Sequence, residues 1–521
     1  MTIIAVVTTR EIAQITTTLS HHGVNRYRTS RNRRIPPDDG STARLALITT
    51  TRQYPVQMIG RLVRASAAVW PPLLVSGLSF AVYTVYSALQ WRRLSVPSWD
   101  LGIFTQLLRD YASLQPPIVP IKGAGFNLLG DHFHPLLVVL APFYAVFPSG
   151  LTLLVLQAAL VAVSVFVVTR LAQEKLGLVA GLLIGLSYAA SWGVQNAVAA
   201  QFHEIALAMP LLAFSLAALV RQKWLAAALW AAPLVFVKED LGLTVLLIGV
   251  VLLIRGAGRI GVLLGAWGVG WFAVTTLVVL PVLSPSGVWQ YGGSSNIGGS
   301  VSHLGDTLLS LVSTSKFETI VLLVLVTAAL ALRSPISLVL LPTLAWRFLS
   351  DNEAYWGPTW HYSAVLMPIV FVALVDAIVL VRRSRHPWLR YYGRLAVPIT
   401  VAFAVVMIPQ QPLGELGRPS SYALPSRYQE AEAAMAMVPD DATVSSDLTF
   451  MAYLASRSTV YWIGNPGNPP TDYVLLDQFS GAWGANPPGD VAAYAEQTMP
   501  GTSYQTIYSK DGIQLAKRTN R

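Results

Sequence analysis

Residues 150–170 read GLTLLVLQAALVAVSVFVVTR, and no side chain from 150 to 169 is ionisable. A helix of about 20 such residues is ~30 Å long, the thickness of a bilayer's hydrocarbon core. A helix apolar all round has no solvated face, so it belongs inside a large core or a membrane. Runs of the same kind recur at 69–90, 176–196, 203–220, 224–237, 241–254, 260–283, 317–332, 335–349, 361–381 and 395–409. Together they predict an all-α polytopic membrane protein of about 11 transmembrane helices, within a range of 9–13. The apolar segment 134–148 is too short to count as a span and reads as an interfacial or re-entrant helix.

Composition agrees. Of 521 residues, 54% are hydrophobic and 12% charged, against about 25% charged in soluble domains. An ordinary soluble enzyme and a disordered scaffold are both excluded. The formal charge of +10 divides into +7 over residues 1–64, +7 over 65–409 and −4 over 410–521. Spread over short loops, such charge orients a chain in a membrane rather than lining a phosphate-binding groove, and no nucleic-acid partner is expected. With no cysteine, neither disulfides nor thiolate metal sites are available.

The basic loops set the topology. With 134–148 outside the count, Arg170, Lys175, Arg221, Lys223, Arg255, Arg259, Arg333 and the cluster from Arg382 to Arg394 fall on one side, as the positive-inside rule requires. The expectation is a plasma (inner) membrane protein with a basic, disordered, cytoplasmic tail over 1–64. Its transmembrane domain would span 65–409, with a long first outer loop at 91–149. Residues 410–521, ordinary in composition, would form a small extracytoplasmic α/β domain, with strands near 442–446, 459–463, 472–477, 504–509 and 513–518. Lys510-Asp511-Gly512 is its hairpin turn.

Of the twelve acids in 65–409, only Glu174 and Asp376 fall away from the outer face. A shared polar cavity opening outward would account for the rest, since an unpaired charge beside an apolar span is costly. Five segments carry candidate chemistry. Asp100 opens an amphipathic helix in the first loop and either caps it or acts as a general base. Asp131, His132 and His134 are carboxylate and imidazole donors with metal-ligand character, or loop residues hydrogen-bonded to their surroundings. Gln201-Phe202-His203-Glu204 ends one span, and Lys238-Glu239-Asp240 forms a whole turn between two others. That turn either pairs internally or lines a pocket, where Lys238 would meet a phosphate as a point charge. Tyr355 to Tyr362, including His361, offers aromatic faces suited to sugars or to a membrane interface. The Gly- and Ser-rich loop 284–316 lacks P-loop spacing and reads as a lid. No GxSxG, HExxH or CxxC motif occurs, which removes the common hydrolase and zinc-protease readings.

Asp100-Leu-Gly-Ile-Phe-Thr-Gln106, Asn127-Leu-Leu-Gly-Asp-His132, Phe202-His203-Glu204, Val237-Lys238-Glu239-Asp240 and Asp472-Tyr-Val-Leu-Leu-Asp477 resemble a family of polytopic prokaryotic membrane proteins known as a domain of unknown function. The likeness runs from about 75 to 480. The chain departs from it at Ala452 and Tyr453, where the family pattern leads one to expect Pro and His. The family in turn resembles the C-type glycosyltransferase superfamily (GT-C), whose members use a polyprenyl-phosphate-linked donor. That resemblance implies a GT-C-like fold, a sugar transfer from a polyprenyl phosphate to an envelope glycan, lipid or protein, and membrane lipid as a partner. It makes Asp100 the base and places Lys238 or His203 at the donor phosphate. Asp131, His132, Glu204, Glu239, Asp240, His361 and Tyr362 complete the expected substrate site. No cofactor is called for with certainty, and a divalent metal held by Asp131, His132 and His134 stays open. The alternative is a flippase or other transporter of lipid-linked sugars.

Overall fold

A computed structural model describes residues 69–293, 313–484 and 486–520. The expected tail over 1–64 and most of the expected lid lie outside the described residues.

Among the described residues, five helices are long and apolar enough to cross a membrane: Val69–Arg92, Gly150–Leu176, Leu178–Ala199, Gly258–Leu283 and Pro387–Gln410. Their outward faces are oily rather than charged, as at Leu73, Leu74, Leu78, Leu263, Leu277 and Val282. Such a surface is stable only in a non-aqueous surrounding. Shorter apolar helical segments run over Pro135–Val146, Glu204–Val220, Trp224–Phe236, Leu241–Ile254 and Pro335–Leu349. The helix Leu366–Arg382 is buried along almost its whole length and packs against Gly150–Leu176 and Ala208–Val220.

One expected span differs. Over 317–332 the helix Thr314–Leu325 stops, and Ala328 and Ala329 adopt left-handed backbone with φ 52° and 58°. The alanines give no stop signal in the sequence, because alanine is the best helix former. The turn returns the short segment Leu330–Arg333 onto the buried helix Leu366–Arg382.

The hairpin Leu241–Ile254 and Gly258–Leu283 is packed backbone to backbone. A Cβ on Gly249 would come within 2.6 Å of the Gly261 carbonyl oxygen, and one on Gly268 would strike that of Gly242. Small residues at these positions let helices approach closely, which replaces the hydrophobic drive that lipid cannot provide. The close fit holds the turn before this hairpin, Lys238 to Asp240, in a defined place.

Near the C-terminus, β1 (Thr443–Ser446), β2 (Thr459–Trp462), β3 (Tyr473–Asp477), β4 (Tyr504–Lys510) and β5 (Ile513–Arg518) form a sheet of order β2-β1-β3-β5-β4. β2, β1 and β3 are parallel, and β5 runs antiparallel to β3 and β4. Asp511 and Gly512 turn the final hairpin with φ 49° and 78°, the positive-φ pair of a type I′ turn. This region docks on the helix Asp100–Ala112. Gln106 donates to the Val460 carbonyl at 2.9 Å, and Arg109 to that of Ser458 at 2.9 Å. Gly102 faces Met451 and Ala452, at 3.3 and 3.4 Å from where a Cβ would sit. The Tyr453 ring lies tilted against Trp91 at 4.1 Å, and its hydroxyl donates to the Trp91 carbonyl at 3.0 Å.

Candidate functional site

The helix Asp100–Ala112 has two working faces. Gly102, Gln106 and Arg109 turn to the sheet, whereas Asp100, Ile103 and Phe104 line a cavity of about 370 Å³. Residues i and i+4 share a helix face, so the spacing of Asp100 and Phe104 aims both inward. Asp100 does not cap its helix, because Trp99 occupies the N-cap position and no side-chain cap bond forms. Instead the Asp100 carboxylate meets His203 Nε2 at 3.4 Å.

His203 arrives by a strained route. Gln201 takes a left-handed φ of 70°, a conformation costing a non-glycine residue roughly 1–2 kcal/mol, and its amide is tied to the Ser95 carbonyl at 2.7 Å. The turn drives His203 and Glu204 into the cavity. His203 stacks on His361 at 3.6 Å, and His361 lies 4.2 Å from Tyr362. The loop carrying these two is held by Arg347, fully buried, which donates to the carbonyls of Tyr355 and Gly357 at 2.7 Å and to Ser363 Oγ at 3.1 Å.

The turn Lys238-Glu239-Asp240 does not pair internally. Lys238 donates to Glu204 at 2.8 Å. Glu239 binds His132 Nδ1 at 2.7 Å and accepts the Phe133 N–H at 3.0 Å. Asp240 Oδ1 is buried without a partner, as are Nδ1 of His134 and Nδ1 of His361. Leaving such a group unsatisfied costs about 1–3 kcal/mol. Asp131 pairs with Lys122 at 3.0 Å and accepts from Tyr291 at 3.3 Å, whose ring stacks on His132 at 4.4 Å.

All ten expected site residues, Asp100, Asp131, His132, His203, Glu204, Lys238, Glu239, Asp240, His361 and Tyr362, line this one cavity, and His134 joins them. Asp131 is taken up by Lys122 and His132 by Glu239, and among the described residues no group of three His, Cys, Asp or Glu gathers around a common point. Sequence reasoning missed Lys122, Trp289, Tyr291, Trp346 and Arg347. Lys122 had a signal, as the one charge between Asp110 and Asp131. Its ammonium lies 5.0 Å from the Trp99 ring and 5.5 Å from that of Phe126, a cation–π box.

The electrostatics follow from these pairings. Burial pushes the Asp100 carboxyl up, but the charge and hydrogen bond of His203 outweigh it and hold the group well below the carboxylate range. Burial likewise opposes ionisation of Glu239, yet His132 and Lys238 bring it down to about 2. Burial and Lys238 work against a proton on His132, and Glu239 still raises the ring's pKa. Lys238 is held protonated against burial by Glu204 and Asp240. Burial lowers His134 to about 4, a neutral imidazole at physiological pH. Asp240 differs from Asp100 and Glu239: burial pushes it up to about 6 despite Lys238.

A family model described as "Predicted membrane protein (DUF2079)" matches residues 91–515. The chain belongs to that family. Its fold is like that of two solved structures of ArnT. The structure of ArnT from Cupriavidus metallidurans bound to undecaprenyl phosphate superposes with a TM-score of 0.51 at 13% identity, covering 85% of this chain and 97% of that one. The apo form of ArnT gives 0.50 at 14%, covering 87% and 98%. The oligosaccharyltransferase AglB from Archaeoglobus fulgidus, in complex with an inhibitory peptide and a dolichol-phosphate, gives 0.43 at 13%, covering 86% and 74%. At these identities the likeness is one of fold. No curated protein sequence matches the chain.

Proposed function

We propose that this DUF2079 protein is a membrane glycosyltransferase that moves a sugar from a polyprenyl phosphate to a hydroxyl of an envelope glycan, lipid or protein. In this reading about eleven segments span the plasma membrane, the N-terminus is cytoplasmic, and the cavity and C-terminal sheet face outward. The observation that carries it is an ionised carboxylate, Asp100, on the wall of a cavity that also presents the ammonium groups of Lys238 and Lys122.

Asp100 takes the proton of the acceptor hydroxyl. The freed oxygen attacks the anomeric carbon, the bond from that carbon to the phosphate oxygen breaks, and the polyprenyl phosphate leaves with the electron pair. A low-pKa base suits a late proton transfer, when the attacking oxygen has already become acidic. Lys238, one of whose ammonium hydrogens goes to Glu204, has others to offer the departing phosphate, which gains charge in the transition state. His203 positions Asp100, and the apolar walls keep out the water that would compete as acceptor.

The test is a profile of lipid-linked sugars in a deletion strain, the wild type and an Asp100→Asn strain. Accumulation of the same polyprenyl-phosphate sugar in both mutants supports a transferase and identifies its donor. A deletion that shifts the pool while Asp100→Asn behaves as wild type removes the catalytic assignment and favours a flippase.

A further inference from the structure

The cavity's walls differ in the charges they present. One wall is built around the Lys238–Asp240 turn. Gly242, two residues on, lets Phe272 pack against the turn's helix with 2.9 Å between a notional Cβ and Phe272 Cβ, and Phe272 in turn meets Trp289 edge to face at 6.3 Å. Phe272 and Trp289 both line the cavity. Asp100, His361 and Tyr362 form another part of the lining, backed by Trp346, whose indole N–H is also buried without a partner.

On the first wall Asp240 behaves unlike an acid before a helix. It stands at the N-cap position of Leu241–Ile254, where an Asp side chain ordinarily accepts a helix N–H, yet no cap bond forms. Its Oδ1 is buried without a partner. The indole N–H of Trp289 is likewise buried and unpartnered. A second sign that the cavity awaits a hydrogen-bonding ligand comes from His134 and His361. Both are more than nine-tenths buried, both line the cavity, and each has an unpartnered Nδ1. Apolar cargo alone would leave all of these unsatisfied, whereas a polyol offers donors and acceptors together with C–H faces for the rings.

Charge along the turn orders the ligand. Lys238 and Asp240 are two residues apart and open onto the same space. A phosphoglycoside carries its anion and its ring hydroxyls a similar short distance apart. We propose that the Asp240–Trp289 wall is the donor-sugar subsite, with Asp240 accepting hydrogen bonds from ring hydroxyls and Trp289 flanking the ring, while Lys238 takes the phosphate and the acceptor enters by the Asp100 wall. This rests on the glycosyltransferase reading above and adds to it which wall reads the sugar.

The test compares two classes of lipid on the full-length protein in detergent: bare undecaprenyl phosphate, and undecaprenyl-phosphate glucose, mannose and N-acetylglucosamine. Wild type should bind at least one glycosylated carrier about tenfold more tightly than the bare one, the discrimination expected from a charged hydrogen bond. Asp240→Asn should bring that ratio close to one and leave affinity for the bare carrier within about twofold. Trp289→Phe, which alters a side chain outside any helix, should narrow the ratio in the same direction and guards against misfolding of the first variant. Equal loss of both lipids in Asp240→Asn, with Trp289→Phe like wild type, would assign Asp240 to the phosphate or to folding and overturn the proposal. An unchanged ratio in both variants, or a wild type blind to the sugar, overturns it as well. If wild type binds none of the lipids, bare carrier included, the failure lies with the glycosyltransferase reading itself.

Discussion

The helix Leu241–Ile254 has charge at both ends, put to opposite uses. Before its first turn, Lys238, Glu239 and Asp240 open onto the cavity, and Asp240 Oδ1 has no partner. After its last turn, about 20 Å away, Arg255 pairs with Asp376, which also accepts from Ser334 Oγ at 2.6 Å. There one carboxylate oxygen takes both bonds and ties three segments together, while Arg255 Nε stays buried without a partner. A charge buried in an apolar body is tolerated either because an opposite charge of the protein meets it or because something else will pair it. The Asp376 end is of the first kind, and the Lys238–Asp240 end of the second.

The contrast breaks most readily at Asp100. Replacing it by Asn should lower transfer per folded molecule by about 10²–10⁴-fold, the range for a general base, and should also lower the melting temperature, because the His203 pairing that depresses its pKa is lost. Activity measured with membranes and a lipid-linked sugar checks it, and near-wild-type rates would remove Asp100 from the chemistry. At the far end the outcome should reverse. Asp376→Ala leaves Arg255 without its partner and should cost about 3 kcal/mol of stability, seen as a lower melting temperature, while turnover per folded molecule stays the same.

Asp240 sharpens the comparison through pH. Its folded pKa, about 6, lies above the ordinary 3.8, so ionisation destabilises the fold and the stability present below pH 4 is lost as pH rises through 6. Asn mimics the protonated acid. At pH 7.5 Asp240→Asn should therefore be more stable than wild type by on the order of 1–3 kcal/mol, with the gain shrinking between pH 6 and 4. A gain independent of pH would refute the assignment. The smallest effect is expected away from both ends. Gln106→Ala removes the bonds to Val460 and to the Ile121 N–H and should cost about 1 kcal/mol, read as faster proteolysis of the C-terminal sheet.

Much of this was legible in the residues. Period and length marked the apolar helices, as from 150 to 170, and local turn chemistry marked Asp511-Gly512. Motifs in five separate segments named polar groups that share the cavity. Other features were silent for stated reasons. The turn at Ala328-Ala329 opposes local propensity and exists because the chain beyond it packs on Leu366–Arg382. Arg347 reads as an ordinary basic residue near a span end, and only the folded loop supplies the carbonyls and hydroxyl that surround it. Trp289 and Trp346 look like the interfacial aromatics of any membrane protein.

Hydrophobic periodicity and side-chain type act over a few turns of chain, so the sequence by itself determined that the protein is helical and membrane-embedded, with ionisable groups gathered at span ends. Which cation meets which carboxylate is a matter of distances between segments up to hundreds of residues apart. Lys238 chose Glu204 over its own neighbours, His203 took Asp100 away from helix capping, and Asp240 was left unpartnered. Coulomb energy and desolvation depend on separations of a few ångströms, and only the tertiary packing sets those.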